Sequence, residues 1–381
     1  MSLPIREKKF AGLDHLRALA ISMVLLFHYR NFNHPVWLDN IVSFGWTGVD
    51  LFFILSGFLI SNQLFSEIQQ NSDFSVKRFY VKRAFRILPP YFFILLIYIF
   101  IPGFHEREQL PPLWKMFTFT QNLGLNITVT GTFSHSWSLC VEEQFYLLFP
   151  LLLLFLLKIK SFRRAGWLIP FIFILTMLLR LFLWHFFLKP ITDQDDFNRY
   201  WYQWIYYPTD TRLDGLITGV GIASIYRFRQ NWLPLTNRYA NALLIAGIIF
   251  VLLTIRFSTD PHHAFATVIG FSLVALVFGL FVFSAVLPNS ILFRFKSGFT
   301  KNLATLSYSL YLCHKGLIHL TQGVLQGSLI PEDSTVMLVI CLTVCVTGAL
   351  LMRIFIEKPS MRMRDKFLEK IKAVKIARRS N

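Results

Sequence analysis

Long apolar runs separated by short polar segments extend from residue 11 to residue 357. Because a helix that crosses a bilayer needs about 20 mostly apolar residues, each run of about 17 to 25 residues predicts one span. We predict ten spans, over residues 11–30, 46–64, 88–104, 137–157, 167–188, 209–226, 239–256, 264–286, 302–325 and 335–357. The predicted fold class is therefore all-α, a polytopic integral membrane protein with a transmembrane domain over residues 1–357 and a tail over 358–381.

Basic residues alternate with these spans and set their orientation. With the N-terminus in the cytoplasm, most of the 38 Lys and Arg residues fall in inner segments, beginning with Arg6, Lys8 and Lys9. Cytoplasmic segments of membrane proteins carry such an excess, so we predict that both termini are cytoplasmic. The basic tail from Lys358 onward is expected to lie against the anionic inner leaflet of the membrane.

Composition agrees with a membrane protein, since 54% of the residues are hydrophobic and the mean hydropathy is +0.51. The net charge of +17 could indicate nucleic-acid binding, but the orientation of the spans accounts for most of the basic excess, and we expect none. The first span carries charges and lacks a small-residue cleavage site, so we expect it to stay in the mature protein. Four cysteines lie in apolar runs without CxxC spacing and predict neither a disulfide framework nor a metal site: Cys140, Cys313, Cys341 and Cys345.

Ionisable residues within the spans are costly and indicate a functional site. Arg17 and His28 lie on one stripe of the first helix, about 16 Å apart along its axis. Asp50 and Glu142 are predicted at the same depth as His28. A carboxylate that accepts from one imidazole nitrogen leaves the other free to remove a proton, so we predict His28 as general base with Asp50 or Glu142 as its partner. Alternatively, His28 caps the interface, and the carboxylates pair with arginines for packing. Glu143 is about 100° from Glu142 on a helix, so both cannot face one cavity.

Arg83 and Arg86 precede the third predicted span, next to Pro89 and Pro90. Their spacing of three places both guanidinium groups on one helical face. A guanidinium grips phosphate through two hydrogen bonds, so the pair predicts phosphate binding. Contact of both side chains with lipid headgroups fits the same pattern.

Seven short motifs follow one another along nearly the whole chain. They are Leu13-Asp-His-Leu-Arg17 with His28, Gly48-Val-Asp-Leu-Phe-Phe-Ile-Leu-Ser-Gly-Phe58, Arg83-x-x-Arg86, Ser136-Trp-Ser-Leu-Cys-Val-Glu-Glu-Gln-Phe-Tyr146, Thr211-Arg-Leu-Asp-Gly215, Ser307-Tyr-Ser-Leu-Tyr-Leu-Cys-His314 and Ile356-Glu-Lys-Pro359. Each motif alone is weak. In this order, the chain resembles the membrane-bound acyltransferase-3 family, bacterial proteins that O-acylate cell-surface glycans.

The resemblance implies an acyl-CoA-dependent acyltransferase that moves an acyl group, most often acetyl from acetyl-CoA, to a sugar hydroxyl of a lipid-linked or surface polysaccharide. It implies essential roles for Arg17 and His28, and phosphate binding by Arg83 and Arg86. We expect Arg17 to hold the nucleotide phosphates of the donor together with Arg83 and Arg86, near the inner face. The expected setting is the bacterial inner membrane, with the acyl-CoA on the cytoplasmic side, the glycan outside and no metal. Some relatives carry a C-terminal hydrolase-like domain; the short tail of this chain predicts the stand-alone form.

The chemistry admits two routes at His28. It either deprotonates a sugar hydroxyl that attacks the acyl donor directly, or it first forms an acyl-imidazole. An extended pantetheine arm is comparable in length to the Arg17–His28 separation, so a tunnel along the first span is expected. The candidates for the group that donates a hydrogen bond to the oxyanion are Ser136, Trp137, Ser138 and a backbone amide. We expect His314 to have a packing or hydrogen-bonding role.

Two other classes of protein also have many spans and buried charges. One is a secondary transporter of a small solute, although matched Gly/Pro-broken spans in two halves are lacking. The other is a non-catalytic membrane component of glycan assembly. The sequence leaves open whether the protein works as a monomer or as a homo-oligomer.

Overall fold

The structure, a computed structural model, describes residues 10–257 and 260–380. Arg6, Lys8 and Lys9, which contributed to the predicted orientation, lie outside these residues. The regular elements of the described part are all helical. The long helices, numbered in chain order, are α1 Ala11–Tyr29, α2 Gly48–Asn71, α3 Val76–Phe100, α4 Trp137–Lys158, α5 Leu168–Leu183, α6 Leu213–Phe228, α7 Ala240–Phe257, α8 Phe271–Val286, α9 Gly298–Leu325, α10 Thr335–Met352 and α11 Lys358–Ser380.

Short helical segments join the long helices. The short α-helices are Trp37–Val42, Leu113–Phe117, Phe197–Trp201, Leu233–Arg238 and Ile291–Arg294. The 3₁₀ turns are Gly45–Thr47, Pro102–Phe104, Ser134–Ser136, Phe162–Trp167, Lys189–Ile191 and Gln230–Trp232. Four wider π-helical turns are Trp184–Leu188, Tyr202–Tyr206, Ala266–Gly270 and Arg353–Glu357.

A helix lies over each of the ten predicted spans, which confirms the all-α, polytopic class. Within the described chain, seven helices are long and apolar enough to cross a membrane alone, and a pair bent by 72° would make an eighth. Helix α6 has only 16 residues, and α9 carries His314 and Lys315 in its middle. The count of ten and the cytoplasmic position of both termini therefore stay predictions.

The third span begins earlier than predicted. Helix α3 starts at Val76, where the Ser75 hydroxyl accepts a hydrogen bond from the backbone N–H of Arg78 and caps the helix. Arg83 and Arg86 therefore lie on α3 itself and not before it.

The two prolines of α3 lie inside the helix and do not end it. Pro89 lacks an N–H group, which leaves the carbonyl of Phe85 without its helical donor. The Ser360 hydroxyl donates to this carbonyl at 2.5 Å and replaces the missing bond.

Helices α2 and α6 cross at the centre of the bundle with their backbones in contact. A Cβ atom on Gly57 would lie 2.1 Å from the Leu216 carbonyl oxygen, and one on Gly219 would lie 2.3 Å from the Ile54 carbonyl oxygen. Only glycine permits this approach. By contrast, α5 buries none of its large apolar side chains, as expected of a helix that faces lipid.

The segment between α3 and α4 folds back over one end of the bundle. Glu106 accepts a hydrogen bond from the backbone N–H of Phe133 at 3.0 Å, and the Thr132 hydroxyl donates to the Arg107 carbonyl at 2.6 Å. These bonds hold the turn Ser134–Ser136 against α9. We call this end, where α1 finishes, the His28 end, and the other the Arg17 end.

Candidate active site

A cavity of about 190 Å³ lies at the His28 end of the bundle. Its lining has two chemically different parts. The first part is polar and basic, and includes His28, Glu106, Ser134, His135 and Lys315. The second part, which we call the aromatic wall, consists of Trp46, Trp137, Trp201, Tyr202, Tyr206 and Tyr207.

His28 is hydrogen-bonded to another histidine. Its Nδ1 atom lies 2.7 Å from Nε2 of His314, and the two ring planes are nearly parallel, at 16°, with centroids 5.0 Å apart. His314 Nδ1 lies 2.8 Å from the Tyr311 carbonyl and 3.1 Å from the Leu310 carbonyl. The predicted hydrogen-bonding role of His314 is compatible with this geometry.

These contacts define the tautomer of each neutral ring. A carbonyl oxygen only accepts, so His314 carries its proton on Nδ1 and has a lone pair on Nε2. His28 must then donate from Nδ1, which leaves the lone pair on its Nε2. In the described structure this Nε2 has no protein partner, and His28 lines the cavity. The arrangement presents a basic and nucleophilic nitrogen to whatever enters.

A third histidine and a buried ion pair complete the polar part of the lining. The His135 ring centroid lies 4.8 Å from that of His314 and 6.0 Å from that of His28. Lys315 Nζ lies 3.2 Å from Glu106 Oε1, and both side chains are buried. Glu106 therefore compensates the charge of Lys315, and this pair fixes the loop to α9.

Asp50 is not the partner of His28, so that prediction is wrong. Its Oδ1 accepts from Arg212 Nη2 at 2.7 Å, and both side chains are fully buried. The backbone contact between α2 and α6 brings the two residues together. A buried guanidinium needs a counter-ion, and this requirement decides where the carboxylate points.

Glu142 does not meet His28 either, which corrects the second candidate. Its carboxylate accepts from the Ser56 hydroxyl and from the Tyr146 hydroxyl, each at 2.9 Å. It interacts electrostatically with Arg83 and Arg17. Glu142 lies in the second turn of α4, as predicted, but its side chain points toward the arginines and not toward His28.

Three arginines predicted to act together do lie together at the Arg17 end. Arg17 interacts electrostatically with Arg83 and Arg86, and Arg83 packs its guanidinium over the Tyr146 ring at 5.2 Å. We call these three residues the arginine cluster. Across the described chain they make neither a hydrogen bond nor an ion pair with protein, and none is fully buried. Their donors are free to bind an anion.

The cavity does not extend from His28 to the arginine cluster. Its lining includes Val24 but none of the three arginines, and Ala20 and Ile21, one turn further along α1, have essentially no exposed surface. The expected tunnel along α1 is therefore closed here. Polar side chains occupy the region between the two ends, where Ser138 and Tyr311 are joined by a 2.6 Å hydrogen bond.

Two of the residues proposed as oxyanion donors are already engaged. The Ser136 hydroxyl donates to the Phe133 carbonyl at 2.7 Å, and Ser138 is bonded to Tyr311. Only Trp137, among the three named side chains, lines the cavity. Although three imidazoles meet nearby, the part of the chain that the structure describes has no group of three His, Cys, Asp or Glu side chains placed to hold a metal ion.

The sequence pattern missed Glu106, His135 and Lys315. Lys315 was visible as a charge within a predicted span, and His135 stands one residue before a motif. Nothing local indicates that these residues meet, because Lys315 lies on a helix 180 residues after His135 and 209 residues after Glu106 in the chain.

Comparison with known proteins adds to this geometry. A family model described as an acyltransferase domain matches residues 10–354. The chain is 30% identical over 343 residues to the peptidoglycan O-acetyltransferase OatA of Listeria monocytogenes, which covers 84% of this chain and 51% of that protein. It is also 30% identical over 324 residues to the O-acetyltransferase OatA of Staphylococcus aureus, covering 81% and 50%. The chain thus spans about half the length of these relatives. No solved structure matches it.

Proposed function

The chain belongs to the acyltransferase-3 family, and we propose that it transfers an acetyl group to a sugar hydroxyl of a cell-envelope glycan, with acetyl-CoA as the donor. Peptidoglycan is the proposed acceptor, since one relative carries that substrate in its name. The proposed location is the bacterial plasma membrane, which separates a cytoplasmic donor from an external glycan. The observation that carries the proposal is the free Nε2 of His28 in a cavity at the end of the bundle remote from the arginine cluster.

The first route at His28 is direct. Nε2 takes the proton of the sugar hydroxyl while the hydroxyl oxygen bonds to the acyl carbon, and the bond from that carbon to its leaving group breaks. The imidazolium then returns its proton to the leaving group. His314 fixes the orientation of the ring throughout, because its Nε2 holds the Nδ1 proton of His28.

The second route passes through His28 covalently. Nε2 attacks the acyl carbon and forms an acyl-imidazole as the leaving group departs, and His28 Nδ1 gives its proton to His314 Nε2. A sugar hydroxyl then attacks the acyl carbon as the carbon–nitrogen bond breaks, and His314 returns the proton to His28 Nδ1. The hydroxyl proton is released to water, which protonates the departed leaving group. Labelled acetyl donor supplied without glycan distinguishes the routes. The covalent route leaves label on the wild-type protein and none on His28→Ala, whereas the direct route leaves no label on either protein.

Residues around His28 are suited to stabilise the developing oxyanion. Lys315 and Ser134 line the same part of the cavity, and Lys315 Nζ lies 3.5 Å from Ser134 Oγ. Both offer hydrogen-bond donors, and donors fixed in advance stabilise charge that appears only in the transition state.

The arginine cluster fits the phosphates of the donor. Its guanidinium groups have no protein acceptor in the described structure and come from two helices, so they can surround an anion. The donor supplies an acyl group activated as a thioester. Because the region between the cluster and His28 is closed, side chains such as Tyr311 must move before an acyl group reaches Nε2.

Mass spectrometry of the cell-wall glycan tests the proposal. Cells that produce the wild-type protein should carry O-acetyl groups on glycan sugars, and cells with His28→Ala should lack them. His319→Ala is the control, because His319 lies on the same helix α9 as His314 and outside the cavity lining. Equal O-acetylation in cells without the protein would contradict the proposal.

A further inference from the structure

The aromatic wall has a defined scaffold. Trp201 anchors it, because its indole N–H donates to the Thr267 hydroxyl at 2.8 Å, which in turn donates to the Pro261 carbonyl. Tyr202 to Tyr206 form a π-helical turn, a distortion that is frequent at functional sites. Trp137 closes the wall at the start of α4, with its ring 4.9 Å from that of Tyr206.

A buried ion pair supports the wall from behind. The Arg212 guanidinium lies 4.8 Å from the ring centre of Tyr206 and 5.4 Å from that of Trp137. Asp50 holds Arg212 in place. Cation–π contacts of this kind fix ring orientation. The carboxylate that the sequence suggested as a partner of His28 is therefore a positioning residue for the aromatic wall.

Several polar groups of the wall have no protein partner. The buried indole nitrogen of Trp46 has no acceptor. Within the described residues, the hydroxyls of Tyr202, Tyr206 and Tyr207 likewise make no hydrogen bond with protein. A buried polar atom is normally paired, so the Trp46 nitrogen lacks a partner that a ligand or water could supply. The three hydroxyls are not among the buried unpaired atoms and are therefore open to a ligand. The wall carries no charged side chain.

A pyranose ring has the chemistry that this wall recognises. One face of the ring presents C–H groups that pack on aromatic faces, while its hydroxyl and amide groups lie at the edge. The cavity volume of about 190 Å³ is below the about 300–1,000 Å³ typical of drug-sized ligands, which limits the enclosed part to about one ring.

We propose that the aromatic wall is the acceptor subsite, on which one N-acetylated amino-sugar ring stacks so that a hydroxyl at its edge reaches His28 Nε2. This inference rests on the proposed function, because it assigns the glycan to that cavity. The wall holds and orients the sugar, and the histidines act on it.

Binding of a soluble glycan to the purified full chain in nanodiscs tests the subsite without any transfer step. The probe is an oligomer of β-1,4-linked N-acetylglucosamine, and titration calorimetry gives its Kd. Tyr202→Ala should weaken binding about tenfold. Tyr202→Phe, which keeps the ring and loses the hydroxyl, should lie between this variant and wild type.

Two controls make the result specific. Tyr200→Ala removes a half-buried tyrosine of the same segment that does not line the cavity, and it should bind like wild type. His319→Ala, on α9 and outside the cavity lining, should also keep binding. Unchanged Kd in both Tyr202 variants, or displacement of the oligomer by adenosine, whose planar base also stacks on aromatic rings, would overturn the subsite.

Failure of the subsite and failure of the proposed function give different results. If O-acetyl esters form and Tyr202→Ala leaves the KM for glycan unchanged, the subsite is wrong and the function stands. If the oligomer binds, Tyr202→Ala loses it and no ester forms, the subsite stands and the function is wrong. Thermal unfolding of each variant, compared with Tyr200→Ala, separates loss of binding from loss of folding.

Discussion

The two ring nitrogens of His28 have different surroundings, and this asymmetry determines what the residue can do. Nδ1 is bonded to His314, whose own proton is held by backbone carbonyls of α9. Nε2 makes no hydrogen bond with protein in the described structure, and the His28 side chain lines the cavity. A neutral imidazole partner orients His28 as a carboxylate would, but it supplies no negative charge to stabilise an imidazolium.

Replacement of His314 should remove this orientation. In His314→Ala, His28 has no acceptor for Nδ1–H and can adopt the other tautomer, so kcat should fall about a hundredfold while the KM for glycan changes little. His314→Gln should recover much of the loss because its amide oxygen can accept the same proton.

Steady-state transfer of labelled acetyl to glycan provides the measurement, with His319→Gln as the control on the same helix. Equal rates in His314→Ala and wild type would show that the imidazole pair has no part in the reaction. A merely structural role would leave His314→Gln as impaired as His314→Ala.

Asp50 should behave as a structural counter-ion. Asp50→Asn leaves Arg212 buried without a negative partner, which costs about 3–5 kcal/mol for a buried pair. We expect a lower midpoint of thermal unfolding, and partial recovery in the double variant Asp50→Asn/Arg212→Met, which removes both charges. A stable but inactive Asp50→Asn protein that retains glycan binding would contradict this role and would favour direct participation in catalysis.

At the scale of helices, local pattern predicted much and long-range pairing very little. Hydropathy located ten helices because apolar runs of sufficient length are a local property. It missed the start of α3, since the first turns of that helix are basic and only the Ser75 cap marks them. The partner of His28 lies 286 residues away in the chain, so one sequence could supply candidate residues but not their pairing.

The crossing of α2 and α6 is the contact that positions Asp50 against Arg212. Gly219→Ala would place a Cβ 2.3 Å from the Ile54 carbonyl oxygen, and the helices must separate, at a cost of about 1–3 kcal/mol. The thermal midpoint should fall, and glycan binding should weaken with it. Gly221→Ala on the same helix is the control, because its Cβ would meet only Ile169, at 3.4 Å. Equal midpoints in the two variants would contradict this packing.

At the scale of the whole molecule, two polar sites lie at opposite ends of α1. The arginine cluster marks one end and the histidines mark the other, about 16 Å apart along the helix. The proposed function requires that the Arg17 end face the cytoplasm, where acetyl-CoA is made, and the distribution of basic residues predicts the same orientation.

Cysteine labelling tests that orientation. The four native cysteines are buried, so a membrane-impermeant maleimide should report introduced residues with little background. Glu108→Cys, in the exposed loop at the His28 end, should be labelled on intact cells from which the bacterial cell wall has been removed. Arg164→Cys, exposed between α4 and α5, should be labelled only after permeabilisation. The reverse pattern would invert the proposed sides of donor and acceptor.

Transfer across a sealed membrane tests the central claim most directly. The protein is reconstituted in vesicles in one orientation, acetyl-CoA labelled in the acetyl group is supplied only at the Arg17 side, and N-acetylglucosamine oligomers only at the His28 side. We expect labelled O-acetyl esters on the oligomers with wild-type protein and none with His28→Ala. Equal ester formation by His28→Ala, or ester formation only when donor and glycan share one side, would contradict the account.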